Sequence, residues 1–188
     1  SGKYRVPPRP PGPREAEAVS AADLILTHAE MMQPLLKYYF PAHATKIFPE
    51  TLWLAEWICD DALAYLPQRK PFAERTIDVL LVAYDWRRYE KNWELVRTLI
   101  SKHPEWNIHV VGDTPIRPGN AIYHGFIADR AAVFALMGDA RVVVSTSRLD
   151  AAPGILWEAV TLGCNVVASK NCGNWELCHP SLLAQSLH

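Results

Sequence analysis

Neither sign of charge dominates this chain. Nineteen Lys and Arg stand against 20 Asp and Glu, a net charge of −1. That balance excludes the broad basic footprint of a general nucleic-acid or anionic-membrane binder. Long apolar runs are also missing, so no transmembrane segment is expected, and the N-terminus has no signal-peptide pattern. The four cysteines, Cys59, Cys164, Cys172 and Cys178, lack C-x-x-C spacing. A disulfide framework or zinc site is not indicated, although a Cys172–Cys178 link stays open. Reduced thiols in a cytoplasmic protein are the expectation. The histidines form no H-x-H or H-x-x-x-H set, and no Asp-x-Asp ends a strand, so no metal is expected. Glycine is scarce, at nine residues. None falls in a G-x-G-x-x-G, G-x-x-x-x-G-K-[ST] or G-x-S-x-G pattern, which removes the dinucleotide, P-loop and hydrolase signatures.

What is present is apolar and alternating. The 188 residues are 49% hydrophobic and 21% charged, a profile for one globular domain, alone or with an appendage. Proline, at 15 residues, is abundant. Pro7, Pro8, Pro10, Pro11 and Pro13, set among Lys3, Arg5, Arg9 and Arg14, make residues 1–19 read as an extended or disordered tail. Ala22–Leu26 reads as a strand and Met31–Phe40 as a helix broken or restarted at Pro34. Ala44–Phe48 reads as a further strand, and Trp53 and Trp57 as packing residues. The breakers Pro67–Pro71 close this part at about residue 72.

From residue 73 the signals sharpen. Ile77–Ala83 is the strongest strand, followed by a helix over about Tyr89–Lys102 and a strand at Asn107–Val111. A short strand at Ala121–Tyr123 follows. Ala128–Met137 is a helix apolar almost all round, and so expected to be well buried. Arg141–Ser145 is a β-branched strand. Pro153 opens a helix that runs to about Leu162, Gly163 caps it, and Asn165–Ala168 is the last strand. The alternation predicts an α/β fold: a doubly wound, mostly parallel, Rossmann-like sheet with helices on both faces.

Ligands of such sheets sit beyond the carboxyl ends of the strands. Two acids frame that place, Asp150 on a loop and Glu158 on the helix. The helix start at Pro153, Gly154 and Ile155 offers free N–H groups to an anion, unless Asp150 is itself the cap. Glu158 lies at the edge of an apolar face formed by Ile155, Leu156, Ala159, Val160 and Leu162. A solvated or salt-bridged acid there is the plain alternative. Arg87, Arg88 and Lys91 form a basic cluster after the first strong strand, suited to a diphosphate or else a solvated turn.

The pattern Asp150, seven residues, Glu158 resembles the donor-binding core of retaining glycosyltransferases of the GT-B fold. Asp150-Ala151-Ala152-Pro153 stands where the common form has Glu-Gly-Phe-Gly. Glu158-Ala159, Gly163, Val166-Val167, Gly173 and Glu176 follow in the family's order. Lys91-Asn92 matches its Lys-Gly or Lys-Asn step, and His124-Gly125-Phe126-Ile127 its loop beneath the nucleobase. Ala22-Asp23-Leu24-Ile25 and Ile47-Phe48-Pro49 resemble the close of the first domain, making residues 20–72 its end and hinge. Residues 73–188 become the nucleotide-sugar-binding domain, the GT-B C-terminal half.

The resemblance implies roles. Glu158 would hold the ribose and Asp150 the donor sugar. Lys91, one of Arg87 and Arg88, and the backbone at Pro153, Gly154 and Ile155 would hold the diphosphate. Gly125, Phe126 and Ile127 would sit against the base. The donor is a nucleotide sugar, used without cofactor or metal. The acceptor, a glycan, lipid or small molecule, would be bound by a first domain mostly absent here. Two rivals remain: a degenerate, non-catalytic binding module, and a nucleotide-sugar epimerase of similar fold.

Overall fold

The computed structural model describes residues 10–27, 32–49, 55–150, 153–169 and 172. Expectations for Ser1–Arg9, His28, Trp53, Ala151, Ala152, Gly173, Glu176, Cys178 and His179, and for the Trp57 side chain, lie outside these residues. The chain divides into two compact units, Ser1–Leu52 and Trp53–His188.

In the first unit, α1 (Pro13–Ala21) is a helix, where the proline count points to an extended or disordered tail. Proline is harmless at the first helical position, because its missing N–H would be unpaired there anyway. The Glu- and Ala-rich residues that follow are good helix formers. Lys46 donates to the Ala22 carbonyl at 2.6 Å and to that of Ser20 at 3.2 Å, satisfying acceptors at the helix end. The strand expected at Ala22–Leu26 begins later, because Ala22 caps the helix, and β1 is Ile25–Thr27. Next, α2 (Met32–Tyr39) runs through Pro34 without a break, since Pro34 stands in the first turn. Pro41–Lys46 is a 3₁₀ turn rather than the start of a strand, set by the fixed φ of Pro41. Strand β2 (Ile47–Pro49) then pairs in parallel with β1.

The second unit begins with α3 (Ala55–Tyr65) and two 3₁₀ turns. It continues through β3 (Ile77–Asp85), α4 (Trp93–Lys102), β4 (Ile108–Asp113) and β5 (Ile122–Gly125). The remaining elements are α5 (Arg130–Gly138), β6 (Ala140–Ser145), α6 (Gly154–Thr161) and β7 (Asn165–Ala168). The five strands form one sheet in the order β5-β4-β3-β6-β7, and each described pairing is parallel. The chain thus builds outward from β3 on one side, returns to β6 beside it, and builds outward on the other. Strand alternation divides the core. Val79 and Leu81 of β3 pack with Trp93, Val96 and Ile100 of α4 on one face. Leu80 packs with Phe134 and Met137 of α5, Leu156 and Ala159 of α6, and Ala62 of α3 on the other.

Two helices bury less than their composition suggests. In α5, Phe134, Met137 and Gly138 are buried, but Ala131 and Ala135 face solvent. In α6, Leu156 and Ala159 are buried, whereas Val160, expected on the core face, is exposed. The buried stripe is centred on Ala159, flanked by Leu156 and Leu162, and Val160 stands one step of about 100° off that centre. The carboxyl end of α6 is held by Arg75, 2% exposed. Its guanidinium donates to the carbonyls of Leu162 at 2.7 Å, Gly163 at 2.9 Å and Ala140 at 2.7 Å. Gly163 adopts φ +73°, the left-handed conformation that ends a helix. The helix is therefore fixed at its far end while its start points toward the sheet's carboxyl edge.

Candidate functional site

The strand order reverses between the parallel neighbours β3 and β6, and the crevice at that switch point is where open α/β sheets bind ligands. Three contacts join the loops that leave these two strands. Thr146 donates from Oγ1 to the Lys91 carbonyl at 2.8 Å. The Arg148 N–H reaches the Glu90 carbonyl at 2.8 Å. Lys91 Nζ lies 2.7 Å from Asp150 Oδ2, both side chains 21% exposed. Lys91 owes its position to Asn92, which takes the left-handed conformation at φ 59°. Tyr89–Lys91 is consequently a separate 3₁₀ turn, and α4 starts only at Trp93, not at Tyr89 as periodicity suggests. Asparagine is among the few non-glycine residues that adopt this conformation readily.

The start of α6 is not capped by Asp150, whose carboxylate lies on Lys91. Pro153 occupies the cap position rather than the first helical one, with no side-chain hydrogen bond, and Gly154 is the first helical residue. Proline has no N–H and its side chain offers no acceptor. Among the described residues no side chain caps this helix start, which carries the partial positive charge of a helix N-terminus.

One turn on, Glu158 turns inward, its side chain 14% exposed. It accepts from Arg130 at 2.7 Å. Arg130 also lies 3.4 Å from Asp61 and 5.4 Å from the Phe134 ring centroid. Burial pushes the Glu158 carboxyl above its usual range; the Arg130 charge opposes that rise and Asp61 adds to it.

The other candidates sit around this edge. Gly125 has φ +69° and open space where a Cβ would stand, so its conformation rather than crowding calls for glycine. Phe126 is 51% exposed and meets Tyr84, 68% exposed, edge to face at 4.9 Å. Ile127 packs inward on the core. The two arginines are not gathered to Lys91. Arg87 pairs with Asp85 at 2.8 Å and lies 3.8 Å from Asp113, and Arg88 pairs with Glu90. The hydrogen bond from Arg87 holds the Asp85 carboxyl below its usual range. Beneath the loop, Cys172 is fully buried, with its sulfur 3.7 Å from Ser145 Oγ, and burial pushes its thiol up to about 11.

The structure thus unites Lys91 with Asp150 and leaves Arg87 and Arg88 on neighbouring acids. It adds Arg130, Thr146 and Tyr84, which sequence reading passes over. Arg130 stands 28 residues from Glu158, and no local spacing announces such a pair.

No family model matches the chain. WcaC of Escherichia coli K12, which carries the name of a putative colanic acid biosynthesis glycosyl transferase, is 32% identical over 95 residues, half of this chain and 24% of that protein. Among solved structures, the UDP-forming α,α-trehalose-phosphate synthase of Burkholderia xenovorans is similar with a TM-score of 0.61 and 14% identity. That likeness covers 87% of this chain and 51% of the synthase chain. Anabaena HepE, in complex with UDP and glucose, is similar with a TM-score of 0.57 and 19% identity, over 86% of this chain and 48% of HepE. The chain spans about half the length of these solved proteins and a quarter of the curated relative. Its mostly parallel five-stranded sheet with helices around it is the fold of GT-B-like glycosyltransferases.

Proposed function

We propose that the larger unit is the donor-binding domain of a retaining glycosyltransferase that takes a sugar from a nucleoside diphosphate to an acceptor hydroxyl. The observation that carries this reading is the Lys91–Asp150 pair at the β3/β6 switch point, with α6, capped only by Pro153, beginning just after Asp150 and carrying Glu158 one turn on. Lys91 and the N–H groups at Gly154 and Ile155 would hold the diphosphate. Arg87 or Arg88 would join them by exchanging a local acid for phosphate. In the reaction the bond between the anomeric carbon and the phosphate oxygen breaks. A bond to the acceptor oxygen forms on the same face of the sugar, and the acceptor's proton leaves with the diphosphate. Positive charge fixed beside the departing oxygen lowers the barrier, because charge develops there in the transition state. Asp150 would orient the donor sugar, Glu158 the ribose, and Gly125, Phe126 and Ile127 the base. The acceptor, a glycan, lipid or small molecule, would be bound by a further domain, in a cytoplasmic setting.

A non-catalytic binding module is the second reading. It is favoured by one observation: Lys91, Arg87 and Arg88 are each already paired with an acid. Titration calorimetry of UDP-, GDP- and ADP-glucose, with and without EDTA, tests the proposal. Binding of one of them that survives EDTA is expected. No binding, or binding that EDTA abolishes and Mg²⁺ restores, overturns the donor site as described.

A further inference from the structure

Glu158 is a poor choice of ribose ligand on its own. Its side chain is 14% exposed, and burial disfavours the ionised form that accepts hydroxyl hydrogens best. A carboxylate with two free oxygens can also rotate about its last torsion, so its direction toward a ligand is undefined. Arg130 answers both problems. It stands in the first turn of α5, whose start is fixed by the Asp129 carboxylate accepting from the Ala131 N–H at 3.0 Å. Its guanidinium lies 5.4 Å from the Phe134 ring centroid, which limits where the side chain can swing. From there one N–H reaches Glu158 Oε1 at 2.7 Å.

We infer that Arg130 is a positioning residue for nucleoside recognition: it holds Glu158 through one oxygen and directs the other toward the ribose hydroxyls. This rests on the donor-binding reading above. The fork of a guanidinium fixes direction as well as charge, which a lysine ammonium would do only in part. Among the described residues, the charged groups facing Glu158 are Arg130 from α5 and Asp61 from α3. Asp61, 65% exposed and 3.4 Å from Arg130, restrains the arginine from the outer side. With Arg130 present, the burial that raises Glu158 is opposed by an adjacent positive charge. Without it, Glu158 takes up its proton at a higher pH, and ribose binding is lost as pH falls.

UDP, GDP and ADP are titrated against the 188-residue chain, and the tightest is carried forward with its 2′-deoxy counterpart across a pH series from acid to alkaline. The wild type is expected to favour the ribonucleotide about tenfold, the worth of one hydrogen bond to a charged acceptor, with little change across this range. Arg130→Met should lose most of that preference, with the loss several-fold larger at the acid end than at the alkaline end. Arg130→Lys should restore part of the preference and much of the pH profile. Glu158→Gln should abolish the preference at every pH. Arg130→Met that lowers thermal stability but keeps the preference and its pH profile overturns the positioning role while Glu158 stands. A Glu158→Gln variant that binds as the wild type does overturns the ribose assignment itself. No binding of any of the three nucleotides to the wild type overturns the donor-binding reading and this inference with it.

Discussion

Replacing Asp150 with Asn should tighten the protein's grip on a free nucleoside diphosphate. The wild-type site neutralises itself: Lys91 Nζ and Asp150 Oδ2 are 2.7 Å apart, each side chain about one-fifth exposed. A diphosphate that takes Lys91 must first compete with Asp150 and then lie beside its negative charge. Partly exposed ion pairs are worth about 0.2–1 kcal/mol, and this pair, more enclosed than most, belongs at the upper end. Asn keeps the shape and loses the charge, so free diphosphate should bind roughly fivefold more tightly, about 1 kcal/mol. A sugar nucleotide gains the same amount but loses the charged acceptor for its sugar hydroxyls, about 1.5–3 kcal/mol. The preference for sugar nucleotide over free diphosphate should therefore fall roughly tenfold or more. From the sequence alone Asp150 would touch only the sugar, and its loss would leave the free diphosphate alone. The Lys91 contact changes that expectation. Calorimetric titration of both ligands into wild type and Asp150→Asn decides it. Unchanged or weaker diphosphate binding by the variant would refute the self-neutralised site, and equal losses for both ligands would remove Asp150 from the sugar.

Arg75→Met should destabilise the fold by about 3 kcal/mol in chemical denaturation, since it strands the buried carbonyls of Ala140 and Leu162 and the part-buried one of Gly163; Arg75→Lys should recover little, and a loss under about 1 kcal/mol would show that the guanidinium does not anchor α6. Gly112→Ala should cost about 2 kcal/mol or more, because φ is +114° and the added Cβ would stand 1.9 Å from the Ala83 carbonyl oxygen; a wild-type melting temperature would contradict this. His109 and His124, whose ring nitrogens are 3.0 Å apart, are both held below their usual pKa, chiefly by burial. The neutral forms stabilise the fold above the unfolded value of about 6.5, and that stability is lost as pH falls through and below it. The melting temperature should drop between about pH 7.5 and about pH 5, and the double variant His109→Gln, His124→Gln should flatten the drop; an equal drop in the variant would assign it elsewhere. The chain by itself should give no measurable sugar transfer to an added acceptor, because aligning donor and acceptor supplies much of the catalytic advantage; robust transfer in a radiolabelled-donor assay would overturn that.

The larger sheet is legible in the sequence because its strands are short β-branched runs separated by glycine, proline and charged turns, as at Ile77–Asp85 and Asn165–Ala168. Helix α6 is legible from Pro153 at one end and Gly163 at the other. The proline-rich start misleads because composition ignores position: Pro13 stands at the one place where a helix tolerates it. Val160 reads as a core residue because the crowding of apolar residues along α6 blurs the direction of the stripe. The Lys91–Asp150 pair spans 59 residues and the Arg130–Glu158 pair 28. Such pairs depend on which strands adjoin in the sheet, a relation no local spacing encodes. The acid spacing names Asp150 and Glu158 as candidates but is silent on their partners.

A crystal structure of the chain with the sugar nucleotide that binds it most tightly tests the central claim most directly. The account predicts the diphosphate oxygens within hydrogen-bond distance of Lys91 Nζ and of the backbone N–H groups at Gly154 and Ile155, with Asp150 released onto the sugar and a Glu158 oxygen on the ribose. A nucleotide bound elsewhere, with the Lys91–Asp150 pair intact, would contradict it.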